Sequence, residues 1–261
     1  MRIVNDVIKE MEKIAPTYLK EDFDNVGLMV GDKSKEVKKV LLALDCTLNV
    51  IEEAKIENAD LIITHHPLIF RRPSNITTDT LQGKKIIELI KNDISLYSSH
   101  TNLDSVENGL NSTIVSLLGF EEGAILEANK KEQSAGIGRL VSLNEGISLE
   151  QLVDKVKKAL SINHLRVVNG NDKITKIAIV NGSGQDFIGK AVSLGADCII
   201  TGDTTYHFAS DYKELGISIL DVGHFASEQL VFFNVMKKLE EKFRDIEFIT
   251  SKVEEDPFKF Y

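Results

Sequence analysis

Residues 39–64, KVLLALDCTLNVIEEAKIENADLIIT, and residues 176–201, KIAIVNGSGQDFIGKAVSLGADCIIT, decide the fold of this chain. They align without a gap at a constant offset of 137. Identities fall at Lys39/Lys176, Ile51/Ile188, Ala54/Ala191, Ala59/Ala196, Asp60/Asp197, Ile62/Ile199, Ile63/Ile200 and Thr64/Thr201. Each copy reads as a strand, a turn, a helix and a second strand. The strand segments, LLAL with LII and IAIV with CII, are continuous apolar runs. That pattern belongs to strands buried on both faces of a parallel sheet, so two βαβ crossovers are expected.

The duplication extends past these copies. ISLYSSHTNLD (94–104) follows the first and ISILDVGHFASE (217–228) follows the second. Both are an apolar strand leading into His-x-x-x-carboxylate, His100/Asp104 and His224/Glu228, aligned with one inserted residue. The same order after both crossovers predicts an α/β protein of two related lobes. The first spans 1–126, with 229–261 as candidates to complete it, and the second spans 127–228. GIGRLVSL (136–143) reads as an edge strand. Val4, Val7, Ile8, Met11 and Ile14 recur at helical spacing and predict an amphipathic first helix that breaks near Pro16.

Composition narrows the function classes. The 261 residues carry 31 Lys+Arg against 40 Asp+Glu, a net charge of −9. An acidic body argues against nucleic acid as a partner, because phosphate binding needs a basic footprint. The N-terminus lacks a signal peptide's apolar core, and no apolar stretch approaches the roughly 18 residues of a membrane span. A cytoplasmic protein is expected. The two cysteines, Cys46 and Cys198, form no CxxC and read as buried reduced thiols. Cys46 as a nucleophile is the sharper alternative.

Five of the six histidines follow strand-like runs: His65 and His66 after DLIIT, His100 after ISLYSS, His207 after CIITGDTTY and His224 after ISILDVG. In open α/β sheets ligands bind at the carboxyl ends of strands, so these residues gather where chemistry is expected. His100 or His207 alone would more often be a hydrogen-bonded structural residue. The adjacent pair His65-His66 can serve one site only where the strand ends and the backbone turns, as Pro67 suggests. His224 and Glu228 share a face if a helix begins there. Asp104 has a bland alternative as a cap for a following helix. Three imidazoles with two carboxylates suit Zn, Mn or Fe, and carboxylates can bridge two ions. The Gly-Ser-Gly turn at 182–184 is a weak candidate anion cradle. DNVGLMVGD (24–32) reads as a hairpin or a binding loop. His164 reads as a surface or turn residue.

FDNVGLMVG, ITHHPLIF, SSHTNLD with NGLN, GIGRLV, TGDTTYH and DVGHFASE occur here in one order. In that order the chain resembles the Nif-three-like proteins, the dinuclear-metal hexamers also called GTP cyclohydrolase 1 type 2 homologues. It resembles their short form, without the domain some members insert between the lobes. Phe23 stands where many members have Trp. The resemblance implies metal ligands at His65, His66, Asp104, His224 and Glu228, with two divalent ions (Zn, Mn or Fe) in a site between the lobes at the strand ends. It implies that His100 and His207 line that site, either supporting the ligands from behind or transferring protons. It further implies a homohexamer and a hydrolase acting on a small molecule, GTP or a phosphoester, by water acidified on the metal. The alternative is a non-catalytic protein that stores or delivers metal.

Overall fold

The computed structural model describes residues 1–121 and 123–260. Its strands are β1 (Gly27–Val30), β2 (Lys39–Ala43), β3 (Leu61–Thr64), β4 (Ser95–Ser98), β5 (Ala124–Ala128), β6 (Gly136–Ser148), β7 (Arg166–Val168), β8 (Lys173–Ser183), β9 (Cys198–Gly202), β10 (Ser218–Asp221) and β11 (Glu247–Thr250). Its helices are α1 (Val4–Ile14), α2 (Leu48–Ile56), α3 (Leu81–Lys91), α4 (Thr101–Ser105), α5 (Leu110–Leu117), α6 (Leu149–Leu160), α7 (Ile188–Ser193), α8 (Tyr206–Glu214) and α9 (His224–Glu240). Among the described residues no helix is long and apolar enough to cross a membrane.

Backbone contacts divide the chain into two compact units, Met1–Leu103 with Phe232–Glu255, and Asp104–Val231 with Asp256–Tyr261. Residue 126, where the sequence suggests a lobe boundary, falls within β5 of the second sheet. Residues 104–126 group with that unit because α5 packs on β6 and β8.

The first unit holds a five-stranded sheet in the order β1-β4-β3-β2-β11. Strands β2, β3, β4 and β11 run parallel, and β1 is antiparallel to β4. The second holds a six-stranded sheet in the order β5-β6-β8-β9-β10-β7. Here β8, β9 and β10 run parallel, with β6 antiparallel to β8 and β7 antiparallel to β10. The expectation that GIGRLVSL forms an edge strand is corrected. β5 pairs outside β6, so β6 is interior and the edge lies in the segment before it.

The two crossovers repeat residue for residue. Across β2 and β3, Val40, Leu41 and Leu42 face Leu61, Ile62 and Ile63. Across β8 and β9, Ile177, Ala178 and Ile179, each 137 positions later, face Cys198, Ile199 and Ile200. The identities between the copies do equal work. Asp60 accepts from the N–H groups of Lys38 and Lys39 at 2.8 and 3.1 Å, and Asp197 accepts from those of Thr175 and Lys176 at 2.9 and 3.1 Å. Each aspartate thus caps the start of its first strand. Ala59 N–H bonds Ala54 C=O at 2.8 Å, and Ala196 N–H bonds Ala191 C=O at 3.0 Å, closing both helices alike. Leu41, Ile51, Ala54, Ile62 and Leu96 pack in one core, and Ala178, Ile188, Ala191, Ile199 and Ile219 in the other. Burying each large aliphatic side chain contributes roughly 1.5–3 kcal/mol, which holds the crossovers together.

Candidate metal centre

In the first unit, β3 ends at Thr64 and the chain turns through His65 and His66 into Pro67. That turn frees both imidazoles from opposite faces, and their ring centroids lie 5.2 Å apart. His100, just past β4, brings a third ring to 5.2 Å from His65 and 5.6 Å from His66. One nitrogen from each of the three lies within 4.8 Å of the others. His65 is fully buried, with Phe232 against its ring at 5.9 Å.

Each of these rings is held through Nδ1. His65 Nδ1 lies 2.8 Å from Ser99 C=O, His66 Nδ1 3.0 Å from Asp45 Oδ1, and His100 Nδ1 3.0 Å from Asp24 Oδ1. A carbonyl or carboxylate oxygen can only accept, so Nδ1 carries a proton, and whenever such a ring is neutral its Nε2 keeps the lone pair. Metal-ligating histidines are prepared in this way. Asp24 is buried beneath His100. Burial alone would raise its carboxyl. The hydrogen bond and charge of His100, with the hydroxyl and N–H of Thr101, outweigh that and bring it down to about 2.

In the second unit, β10 ends at Asp221 and α9 begins at His224, the strand-to-helix turn expected for His-x-x-x-Glu. Gly223 makes that turn at φ +83°. His224 Nδ1 lies 2.8 Å from Asp203 Oδ2, and His224 Nε2 lies 3.1 Å from Glu228 Oε2. Both ring nitrogens face carboxylate oxygens, so a proton or a cation must stand between Nε2 and Glu228. Glu228 and Asp104 are both buried, and the Asn181 amide donates to one oxygen of each at 2.8 Å. Buried carboxylates are tolerated when they are paired or coordinate a metal. A Cβ on Gly182 (φ +59°) would collide with Glu228 Oε1, so any side chain there would push that carboxylate aside. Asp104 does not cap a following helix. It sits in α4, and the residue before α5 is Gly109. Arg139, buried in β6, donates to Val106 C=O at 2.9 Å and holds the loop after Asp104.

His207 lies in the first turn of α8, exposed and edge-on to Tyr206, and among the described residues it joins no cluster of donor atoms. His164 is exposed, against Phe260. The turn at 182–184 is no open anion cradle. Gly182 N–H is taken by Ser227 Oγ at 2.9 Å and Gly184 N–H by Thr201 Oγ1 at 2.9 Å. Residues 24–32 form no hairpin of their own, since β1 pairs with β4. Both cysteines are buried and free. Burial pushes the Cys46 thiol up to about 12 and raises Cys198 as well, which removes the nucleophile reading. Sequence reasoning missed Asp24, Asp45, Asn181 and Asp203. Each lay in a segment that drew notice for another reason: Asp24 in FDNVG, Asp45 and Asn181 in the duplicated copies, and Asp203 in TGDTT.

The model of the Duf34/NIF3 (NGG1p interacting factor 3) family matches residues 2–257. The protein called GTP cyclohydrolase 1 type 2 homolog from Clostridium perfringens is 58% identical over 259 residues, covering 98% of this chain and 99% of that one. The crystal structure of a Bacillus cereus protein related to NIF3 matches with a TM-score of 0.92 at 26% identity, covering 100% of this chain and 99% of that one. Reduced HcgD from Methanocaldococcus jannaschii matches with a TM-score of 0.84 at 34% identity, covering 96% and 98%.

Proposed function

The chain belongs to the Duf34/NIF3 family, and we propose that it is a metal-dependent hydrolase of a small molecule. In this reading two divalent ions are held by His65, His66, Asp104, His224 and Glu228. The observation that carries it is the pair His65 and His66 at the end of β3, each with Nδ1 on an accepting oxygen, which points Nε2 of the neutral ring to a cation. The mixed nitrogen and oxygen donors suit Zn, Mn or Fe.

When bound, such ions would lower the pKa of water toward about 7 and polarise an electrophile. The chain's own residues do the rest. Ser99 C=O, Asp45 and Asp203 hold the rings of His65, His66 and His224 in one tautomer. Asn181 holds one oxygen each of Asp104 and Glu228, and the other oxygen of each carboxylate would be available to hold an ion. In this reading His100, backed by Asp24, would exchange a proton with the leaving group, with His207 as a second proton-transfer candidate. The names of its relatives favour GTP as substrate, with a phosphoester as the other candidate. The resemblance supports a homohexamer in the cytoplasm.

The test is turnover by metal-loaded protein, measured as formate from GTP and phosphate from a phosphoester, for wild type and Glu228→Ala. Turnover lost in the variant supports the hydrolase. Ions bound without turnover on either substrate would overturn it in favour of metal storage or delivery.

A further inference from the structure

The amides of Leu44 and Asp45, at the end of β2, are both held by one distant carboxylate. Leu44 N–H donates to Glu254 Oε2 at 2.8 Å and Asp45 N–H to Glu254 Oε1 at 2.7 Å. The same two residues carry His66. His66 N–H bonds Leu44 C=O at 2.9 Å, and His66 Nδ1 lies 3.0 Å from Asp45 Oδ1. Both the backbone and the ring of His66 therefore hang on a dipeptide that Glu254 grips from the other side.

Glu254 is delivered by a built strap. Ser251 N–H extends the β11 ladder onto Leu42 C=O at 2.8 Å. Glu53 of α2 then takes the Ser251 hydroxyl at 2.6 Å and the Lys252 N–H at 2.8 Å. The other unit shows that this device is particular to the first. The equivalent amides, 137 positions on, are Asn181 N–H and Gly182 N–H. Asn111 Oδ1 takes the first at 3.0 Å and Ser227 Oγ the second at 2.9 Å, both neutral acceptors. Hydrogen bonds to a charged acceptor are roughly twice as strong as neutral ones. The strap thus places its strongest hold under the residue that orients an imidazole.

We propose that Glu254 is a positioning residue for His66, acting through Asp45 to fix the ring's orientation and its Nδ1–H tautomer. This rests on the reading of His66 as a metal ligand. Glutamine offers one acceptor and sets an NH2 against the second amide, so Glu254→Gln breaks the two-pronged grip while keeping the shape.

Two readouts on the full chain test it. In metal-free protein, nitrogen-15 correlation of the His66 ring should show the Nδ1–H tautomer in wild type and a mixture in Glu254→Gln. In chelator competition, Glu254→Gln should bind Zn²⁺ about 10–100-fold more weakly, the range for groups that orient ligands. The same change in a His66→Ala background should cost nothing further. An unchanged tautomer in Glu254→Gln overturns the proposal. So does an equal loss in both backgrounds, which would mark a merely structural role. Wild type and His66→Ala binding Zn²⁺ alike would instead sink the metal reading of His66, and the tautomer would still decide the role of Glu254. Should Glu254→Gln fail to fold, Glu254→Asp, which retracts the same carboxylate, takes its place in both readouts.

Discussion

The carboxyl end of β3 carries His65-His66, and the matching end of β9, 137 residues later, carries Gly202-Asp203. The strands before them share register and pack in equivalent cores, yet the donors differ. His65 is replaced by a glycine for a steric reason. A Cβ on Gly202 would lie 2.7 Å from Gly223 C, 2.8 Å from His224 N and 2.9 Å from Gly182 O, because the turn that carries the inserted residue crosses there. His66 is replaced by Asp203, whose carboxylate serves the His224 ring. At the next position along the pattern, Asp45 grips His66 while Gly182 makes room for Glu228. One backbone has been furnished twice, with imidazoles in the first unit and with carboxylates around a single imidazole in the second. A duplicated fold keeps its register through its core and is free to change its chemistry at the strand ends.

The sharpest way to break this comparison is to make the second unit resemble the first. Gly202→Ala adds the one carbon for which the turn has no room, and overpacking of this kind should cost about 3 kcal/mol in urea unfolding. A cost under about 0.5 kcal/mol would show that the turn is free to move and that the steric account is wrong.

The carboxylate pair of the second unit can be tested through Asn181. Asn181→Leu removes the donor shared by Asp104 and Glu228 and should weaken metal binding by about 10–100-fold. If affinity is unchanged in chelator competition, the amide plays no part in setting those carboxylates.

Acid distinguishes the units more gently. The carboxylate that holds His100 is buried, whereas Asp203, which holds His224, is 44% exposed. The Asp24 carboxyl sits at about 2 in the folded chain against an ordinary 3.8. A depressed folded value means the ionised form stabilises the fold. That contribution is complete above about pH 4 and is lost as pH falls through about 2. It amounts to about 2 kcal/mol, since each tenfold change in proton affinity on folding is worth ~1.4 kcal/mol. The stability gap between wild type and Asp24→Asn in urea should therefore close on acidification from pH 5. A gap that stays constant would contradict this assignment.

Much of the fold was legible because its signals are local or repeated. Ile62/Ile199 and Ala54/Ala191 pack in equivalent places, and Asp60/Asp197 cap equivalent strands, so each identity marked a shared structural task. His65, His66, His224 and Glu228 stood out because each follows a strand at a spacing that chemistry can use. Asp24, Asn181 and Glu254 did not stand out. Asp24 reaches His100 across 76 residues, Asn181 reaches Asp104 across 77, and Glu254 reaches Asp45 across 209. Pairing of β1 with β4 and of β11 with β2 creates the first and last of those meetings, and the packing of α5 on β8, through Asn111, creates the other. β6 was misplaced at an edge for a related reason. Its own pattern says nothing of β5, which covers it.

The decisive measurement is metal content per chain on protein purified without added metal, for wild type and for the double variant His65→Ala/Glu228→Ala, with folding of both checked by urea unfolding. This variant removes one ligand from each rim. About two ions per chain are expected in wild type, with their loss from a folded variant. A metal-free wild type, or equal metal in both proteins, would contradict the ligand assignment and the proposed hydrolase with it.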